Sequence, residues 1–234
     1  MDAAPTSATG GDDPATREMR AVIGDGPWWE FRPRTLSPIL TAALAAFEEA
    51  GYHGASVRDI AQRVGVTVPT LYYHHGSKQG LLLALLERSM AELTLRSRMA
   101  LDEAGDDVLH QLVDLVDCTV RFMCHRTATA HLDAQARFLD PDAHAIYERP
   151  RDAFERCVGA VVQAGCDQGV FATEHPVDTT RALLGTYQSV ATWYRADGPL
   201  PPEEIAARHV AFTLDALRVE RRRRDAGARR ARER

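Results

Sequence analysis

The chain has 234 residues, 45% apolar and 26% charged, which is ordinary globular composition for one or two domains. No apolar run approaches the roughly 18 residues of a membrane span, the first twenty residues lack a signal peptide's apolar stretch, and Cys118, Cys124, Cys157 and Cys166 form no C-x-x-C pair, so a cytoplasmic protein with no membrane partner is expected. The net charge of −5 is uneven: residues 32–98 carry eight basic and five acidic side chains and residues 99–217 nine and nineteen, which suits either a polyanion partner for the first block or an ordinary solvated surface.

Residues 1–31 are rich in Gly, Pro, Ala, Thr and Asp and read as a disordered arm, with Trp28, Trp29 and Phe31 docking on the first domain. From residue 32 onward, helical spacing recurs and period-2 alternation does not persist. Leu36, Ile39, Leu40, Ala43 and Phe47 form one face of a first helix that Gly51 caps. Val57, Ile60, Ala61 and Val64 form a second, opened by the capping box of Ser56 and Asp59 and closed by Gly65. Thr67 caps a short third helix with Pro69 in its first turn. Gly76 and Ser77 break the chain before a fourth helix over about 78–100. Further helices are predicted over 106–125, 128–138, 142–168, 177–195 and 202–220, with Pro150 kinking or splitting one of them. Residues 221–234 form an Arg-rich tail, either a solvated helix end or a nucleic-acid arm. The expected fold is all-α: a three-helix N-terminal domain over 32–93 and a larger helical domain over 94–220.

Residues 56–75, SVRDIAQRVGVTVPTLYYHH, read as helix, tight glycine turn and short helix. That is the helix-turn-helix element, whose second helix enters the major groove of double-stranded DNA. Val57, Ile60, Ala61, Val64, Val66 and Leu71 are placed to pack inward. Thr67, Val68, Pro69, Thr70, Tyr72, Tyr73 and His74 then crowd a short outer surface, where hydroxyls and rings reach phosphates and thymine methyls. Lys78, at the next helix start, is placed to meet a phosphate.

Residues 34–93 resemble the DNA-binding domain of the TetR family of bacterial repressors. The resemblance rests on Gly51-Tyr52, Ser56 to Ala61, Gly65-Val66, Thr70 to His74 and Ser77-Lys78. It implies a DNA-contacting set of Ser56, Thr67, Val68, Pro69, Thr70, Tyr72, Tyr73, His74 and Lys78. Tyr72 is alternatively half core. His75 departs from the family pattern, where Phe is frequent and packs, so a looser or more polar junction between the third and fourth helices is expected.

The resemblance also implies that the acidic C-terminal block binds a small-molecule inducer and forms a homodimer through its last two helices. Ala182, Leu183, Thr186, Tyr187, Val190 and Trp193 supply one stripe, and Ile205, His209, Phe212, Thr213 and Leu217 another; the alternative is that both close a monomer core. Polar and aromatic groups on otherwise apolar faces nominate Phe122, His125, Arg126, Phe138, Tyr147 and Trp193 for the ligand pocket. Residues 193–206, WYRADGPLPPEEIA, are similar to the end of actinobacterial TetR-type regulators of lipid and sterol catabolism, which implies an acyl-CoA ligand paired with Arg126, Arg137 or Arg181. A cationic drug would instead suit Asp133 with Trp193.

No metal site, cofactor or catalytic residue is expected. His74 and His75 project about 100° apart on a helix, Cys118, Cys124 and His125 lack zinc-finger spacing, and no G-x-S-x-G, P-loop or H-E-x-x-H is present. The reading is therefore a ligand-responsive repressor that binds a pseudo-palindrome as a homodimer, with recognition helices about 34–36 Å apart, and is released by an inducer. The alternatives are an activator, or a ligand-binding or enzymatic protein that kept the fold but lost DNA binding.

Overall fold

The computed structural model describes residues 26–33 and 35–220. Most of the N-terminal arm and the whole Arg-rich tail expected from the sequence lie outside the described residues. Among the described residues there are α-helices and one 3-10 segment, and no strand. The fold is all-α, with an N-terminal helix-turn-helix unit and a larger C-terminal helical body.

Helix α1 (Pro38–Gly54) starts at Ser37, whose hydroxyl accepts the Leu40 N–H at 3.3 Å. Its apolar face buries Leu40, Ala43 and Phe47. Gly51, at φ 68° and ψ 172°, kinks it, so Tyr52 and His53 sit in a separate last turn closed by the Ala55 N–H on the Gly51 carbonyl. A left-handed φ is what glycine adopts without the Cβ clash. Helix α2 (Val57–Val64) ends at Gly65, φ 75°, whose N–H and that of Val66 satisfy the last carbonyls of the helix. Thr67 caps α3 (Val68–His75) by accepting the Thr70 N–H, with Pro69 in the first turn. The capping box expected at the start of α2 does not form. Ser56 holds the N-cap position without a side-chain capping bond, and Asp59 instead pairs with Arg63 at 2.8 Å.

Helix α4 (Lys78–Ala104) is about 40 Å long at 1.5 Å per residue, and it serves both halves of the molecule. Its first turns bury Leu81, Leu82 and Leu85 and pack on α1 and α3. Its later turns pack on α5 (Val108–His125). Fifteen of the eighteen residues of α5 are buried, so this helix is the centre of the body and is covered on all sides. Around it lie α7 (Pro141–Asp167), α8 (Pro176–Trp193) and α9 (Pro202–Ala216).

Four further expectations change. The segment over 128–138 is not one helix but a short α6 (Thr127–His131) followed by a 3-10 segment (Leu132–Phe138). Thr127 and Thr129 turn their hydroxyls onto backbone carbonyls of the preceding turn, which competes with a regular ladder. Pro150 neither splits α7 nor takes it out of helical geometry; the carbonyl it deprives belongs to Ile146, which is exposed. Helix α9 stops at Ala216, because Leu217 and Val219 turn back into the core and Arg218 takes φ 53°. Trp28, Trp29 and Phe31 dock not on the first domain but on α4 and α5. Trp28 is buried beside Ala100 and Cys118, with its indole N–H on Glu103 at 2.9 Å, and Trp29 meets it edge-on.

Candidate functional site

The α2–turn–α3 unit separates two kinds of residue. Ile60, Ala61 and Leu71 are fully buried, with Val57, Val64 and Val66 packed partly against them. On the outside Ser56, Thr67, Pro69, Thr70, Tyr72, Tyr73 and His74 are exposed, and Val68 is half-buried. Tyr73 is 87% exposed, with its ring edge on His74 at 5.4 Å, whereas Tyr72 at 44% rests partly on the fold. The hydroxyls of Thr67 and Thr70 lie 2.9 Å apart. The Tyr73 ring therefore contributes little to the core of the unit and leaves its hydroxyl and both faces open to solvent.

Lys78 starts α4, but its ammonium turns towards the end of α1. It donates to the His53 carbonyl at 3.3 Å and sits 4.7 Å above the Tyr52 ring. Partial burial lowers its pKa below the usual lysine range. Phe138, at the end of the 3-10 segment, stacks on Tyr52 at 5.6 Å and meets the His53 ring at 4.2 Å. Ser77 caps α4 by accepting the Gly80 N–H at 3.0 Å. By contrast, Arg63 is taken up by Glu49 and Asp59, at 2.6 and 2.8 Å.

A cavity of about 520 Å³ lies in the C-terminal body, between α4, α5, the 3-10 segment, α7 and α8. Its walls are mostly apolar, from Leu86, Met90, Leu93, Phe122, Met123, Phe154 and Leu184. One polar pole is the Tyr147 hydroxyl donating to Asp133. Burial first, and the adjoining Asp133 carboxylate second, raise the pKa of Tyr147 and keep its proton on. At the rim Arg181 pairs with Glu155 at 2.8 Å, and Arg151 also lines the cavity. The volume falls within the roughly 300–1,000 Å³ that holds a small organic ligand, and an apolar wall with few placed polar groups is the usual chemistry of such pockets.

Of the residues nominated for this pocket, Phe122 and Tyr147 line it, and the others do not. His125 stacks on Phe31 at 4.5 Å, and Arg126 is committed to Glu92 at 2.8 Å. Phe138 faces α1, and Trp193, half exposed, stacks on His209. Of the proposed cationic partners Arg181 stands at the rim, while Arg137 lies over the Phe138 ring. Asp133 lines the cavity, but the Trp193 suggested with it does not. Sequence reasoning missed Met90, Thr119, Thr129, Arg151 and Gln188, which come from separate helices. No local signal groups them.

The two C-terminal stripes are split by the fold. Leu183, Tyr187, Val190, Ile205, Thr213 and Leu217 close the subunit core, with the Tyr187 hydroxyl 2.6 Å from that of Thr213. Trp193 and Phe212 stay about half exposed, and Ala182 on α8 is exposed too. Cys118 and Cys124 are buried, and burial pushes each thiol up to about 12, which leaves them protonated. Among the described residues no group of three His, Cys, Asp or Glu side chains is gathered as a metal site. No described helix is long and apolar enough to cross a membrane.

Residues 39–85 match the family described as bacterial regulatory proteins, tetR family, and residues 105–217 match the tetracyclin repressor-like C-terminal domain. The chain is 27% identical over 191 residues to the transcriptional repressor KstR2 of Mycobacterium tuberculosis, covering 78% of this chain and 92% of KstR2. The solved structure of KstR2, described as a ketosteroid transcriptional regulator, superposes with a TM-score of 0.69, covering 78% of this chain and 93% of that one at 25% identity. The structure of the regulator PfmR from Thermus thermophilus matches at TM-score 0.70 and 29% identity, over 79% of this chain and all of PfmR. The transcriptional activator FasR of Mycolicibacterium smegmatis is 28% identical over 181 residues, 76% of this chain and 81% of FasR.

Proposed function

Because the chain belongs to the TetR family of bacterial regulatory proteins, we propose that it is a ligand-responsive repressor that binds operator DNA as a homodimer and is released by a hydrophobic inducer. The observation that carries the reading is the outer face of α3. Thr67, Thr70, Tyr73 and His74 are exposed together on a unit whose apolar residues are packed inward. In the proposed mode residues 32–93 read DNA. Thr67 to Thr70 and Tyr73 face the major groove, while Ser56, Tyr72, His74 and Lys78 meet phosphates. Residues 94–220 bind the ligand and dimerise, through Trp193, Phe212 and the outer faces of α8 and α9.

The inducer we favour has a lipid-like body that fills the apolar cavity and an anionic head, such as that of an acyl-CoA, at Arg151 and Arg181. The relationship to KstR2, itself described as a ketosteroid regulator, supports a lipid-derived compound. Release follows if the ligand binds more tightly to a conformation in which the two recognition helices are wrongly spaced. The shift in DNA affinity then equals that differential affinity and no more.

Selection of bound sequences from a random DNA pool, at stated salt, tests the reading. Recovery of one palindrome whose affinity falls with salt supports it. A folded protein that enriches no sequence, with or without long-chain acyl-CoA, overturns it. Activation is a second reading, favoured by the likeness to the activator FasR. Transcription from a promoter with and without the selected operator separates the two.

A further inference from the structure

We propose, resting on the reading of Lys78 as a phosphate contact, that Phe138 is a positioning residue through which the state of the cavity sets the hold on that lysine. The 3-10 segment joins the two sites. At one end Asp133 and Ala134 form cavity wall, and the Tyr147 hydroxyl ties Asp133 to α7. Leu132 and Ala136, both buried, seat the segment in the core. At the other end the Phe138 ring lies nearly parallel to Tyr52, at 12°, and edge-on to His53, at 68°.

Tyr52 and His53 are the two residues that hold the Lys78 ammonium, one by its ring face and the other by its carbonyl oxygen. A second tie runs beside the first: the Asp140 N–H donates to the Gln79 side chain at 2.7 Å, one residue from Lys78. The Gly51 kink sets Tyr52 and His53 in a separate last turn, where the Tyr52 ring lies between Phe47 of α1, at 5.7 Å, and Phe138. A ligand that displaces the Asp133 wall therefore displaces Phe138, and with it both groups that aim Lys78. Helix α4 offers a rival route, since Leu86, Met90 and Leu93 also line the cavity. That route does not pass through the Phe138 ring, and the experiment separates the two.

Binding of the full-length chain to its selected operator is followed by fluorescence anisotropy over a range of salt, for Phe138→Leu, Tyr147→Phe, Lys78→Ala and the doubles. Phe138→Leu is expected to weaken binding about three- to tenfold and to lower the salt slope by about one. Placed on Lys78→Ala, it is expected to change affinity by less than about twofold, because residues acting through one contact are not additive. Tyr147→Phe, which loosens the cavity wall, is expected to weaken binding about twofold or more in the wild type and not in Phe138→Leu. If Phe138→Leu loses its helical circular dichroism, His53→Ala replaces it in the cycle; His53 is exposed, and its alanine keeps the carbonyl that Lys78 uses while removing the ring under Phe138. Fold-changes that multiply, or a Tyr147→Phe effect that persists without the Phe138 ring, overturn the proposal. An unchanged salt slope in Lys78→Ala overturns the phosphate reading beneath it, a different result from multiplying effects around a functional Lys78.

Discussion

The carboxylate of Glu92 on α4 meets the guanidinium of Arg126, 34 positions later, at 2.8 Å, and that of Arg96, one turn along its own helix, at 3.1 Å. All three side chains are buried or nearly so. The two cations reach onward to the chain before α1: Arg96 donates to the carbonyls of Trp28 and Glu30, and Arg126 to that of Arg32. Arg96 also lies 4.0 Å over the Phe31 ring. One buried carboxylate thus supports two arginines, and the arginines hold residues 28–32 against the body.

Removing that carboxylate leaves two buried cations less compensated, which costs more than an exposed pair because water cannot replace it. Glu92→Gln is expected to lower the unfolding free energy by about 3 kcal/mol in urea denaturation. It is also expected to expose Trp28, read as increased acrylamide quenching under native conditions. A loss below about 1 kcal/mol, the range of a surface pair, would show that the cluster is not a structural centre.

Phe212 on α9 and Trp193 on α8 are each about half exposed although their helices are otherwise well packed. If these faces join two subunits, Phe212→Asp places a charge in a desolvated contact and gives a monomer by sedimentation. Melting temperature is then expected to lose its dependence on protein concentration. A wild type already monomeric at micromolar concentration refutes the dimer.

Lys78→Ala is expected to weaken binding to all DNA sequences about equally and to reduce the salt slope by about one. Substitutions at Thr70 or Tyr73 are expected to change which bases are selected, by about 1–3 kcal/mol at the affected position. Repeating the pool selection with Tyr73→Ala checks this. An unchanged motif would place Tyr73 on the backbone and not on bases.

Burial lowers the His75 pKa below the usual histidine range, and His74 and Arg88 add repulsion. Burial lowers that of His125 too. The folded state therefore favours neutral rings, while the unfolded chain takes up protons near pH 6.5. The stability these rings leave intact above that value is lost as pH falls through their lower folded values. The urea midpoint should drop between about pH 7.5 and 5.5, and His75→Phe should shrink the drop. Glu48 and Glu87, raised by burial, act in the opposite sense, losing stability as pH rises through their folded values, so the variant is compared with the wild type. A drop of equal size in both would exclude His75 as a source.

Gly80 in the first turn of α4 has no room for a side chain. A Cβ there would lie 1.9 Å from the His75 carbonyl oxygen, a backbone atom that no rotamer change can move. Gly80→Ala is expected to open the α3–α4 junction and cost about 1–3 kcal/mol, measured by urea denaturation. A neutral effect would mean that the junction is more plastic than its packing indicates.

The sequence determined the helices and the turns of the helix-turn-helix unit, because those depend on neighbours a few residues apart. Gly51 and Gly65 supply left-handed backbone, Thr67 caps α3, and Val57, Ile60, Ala61 and Val64 repeat at helical spacing. The outer face of α3 was legible for the same reason. Local reading failed where a residue's role is set by a distant one. It could not see that Arg126 would be held by Glu92, that Phe138 would face Tyr52, or that the Trp28 segment would dock on α4 and α5. Nor could it divide the α8 and α9 stripes between core and surface, since both faces carry apolar residues. Only the tertiary structure decided these, because a cavity and a buried charge cluster are made where several helices converge, and helical periodicity identifies an inward face without naming the helix it will meet.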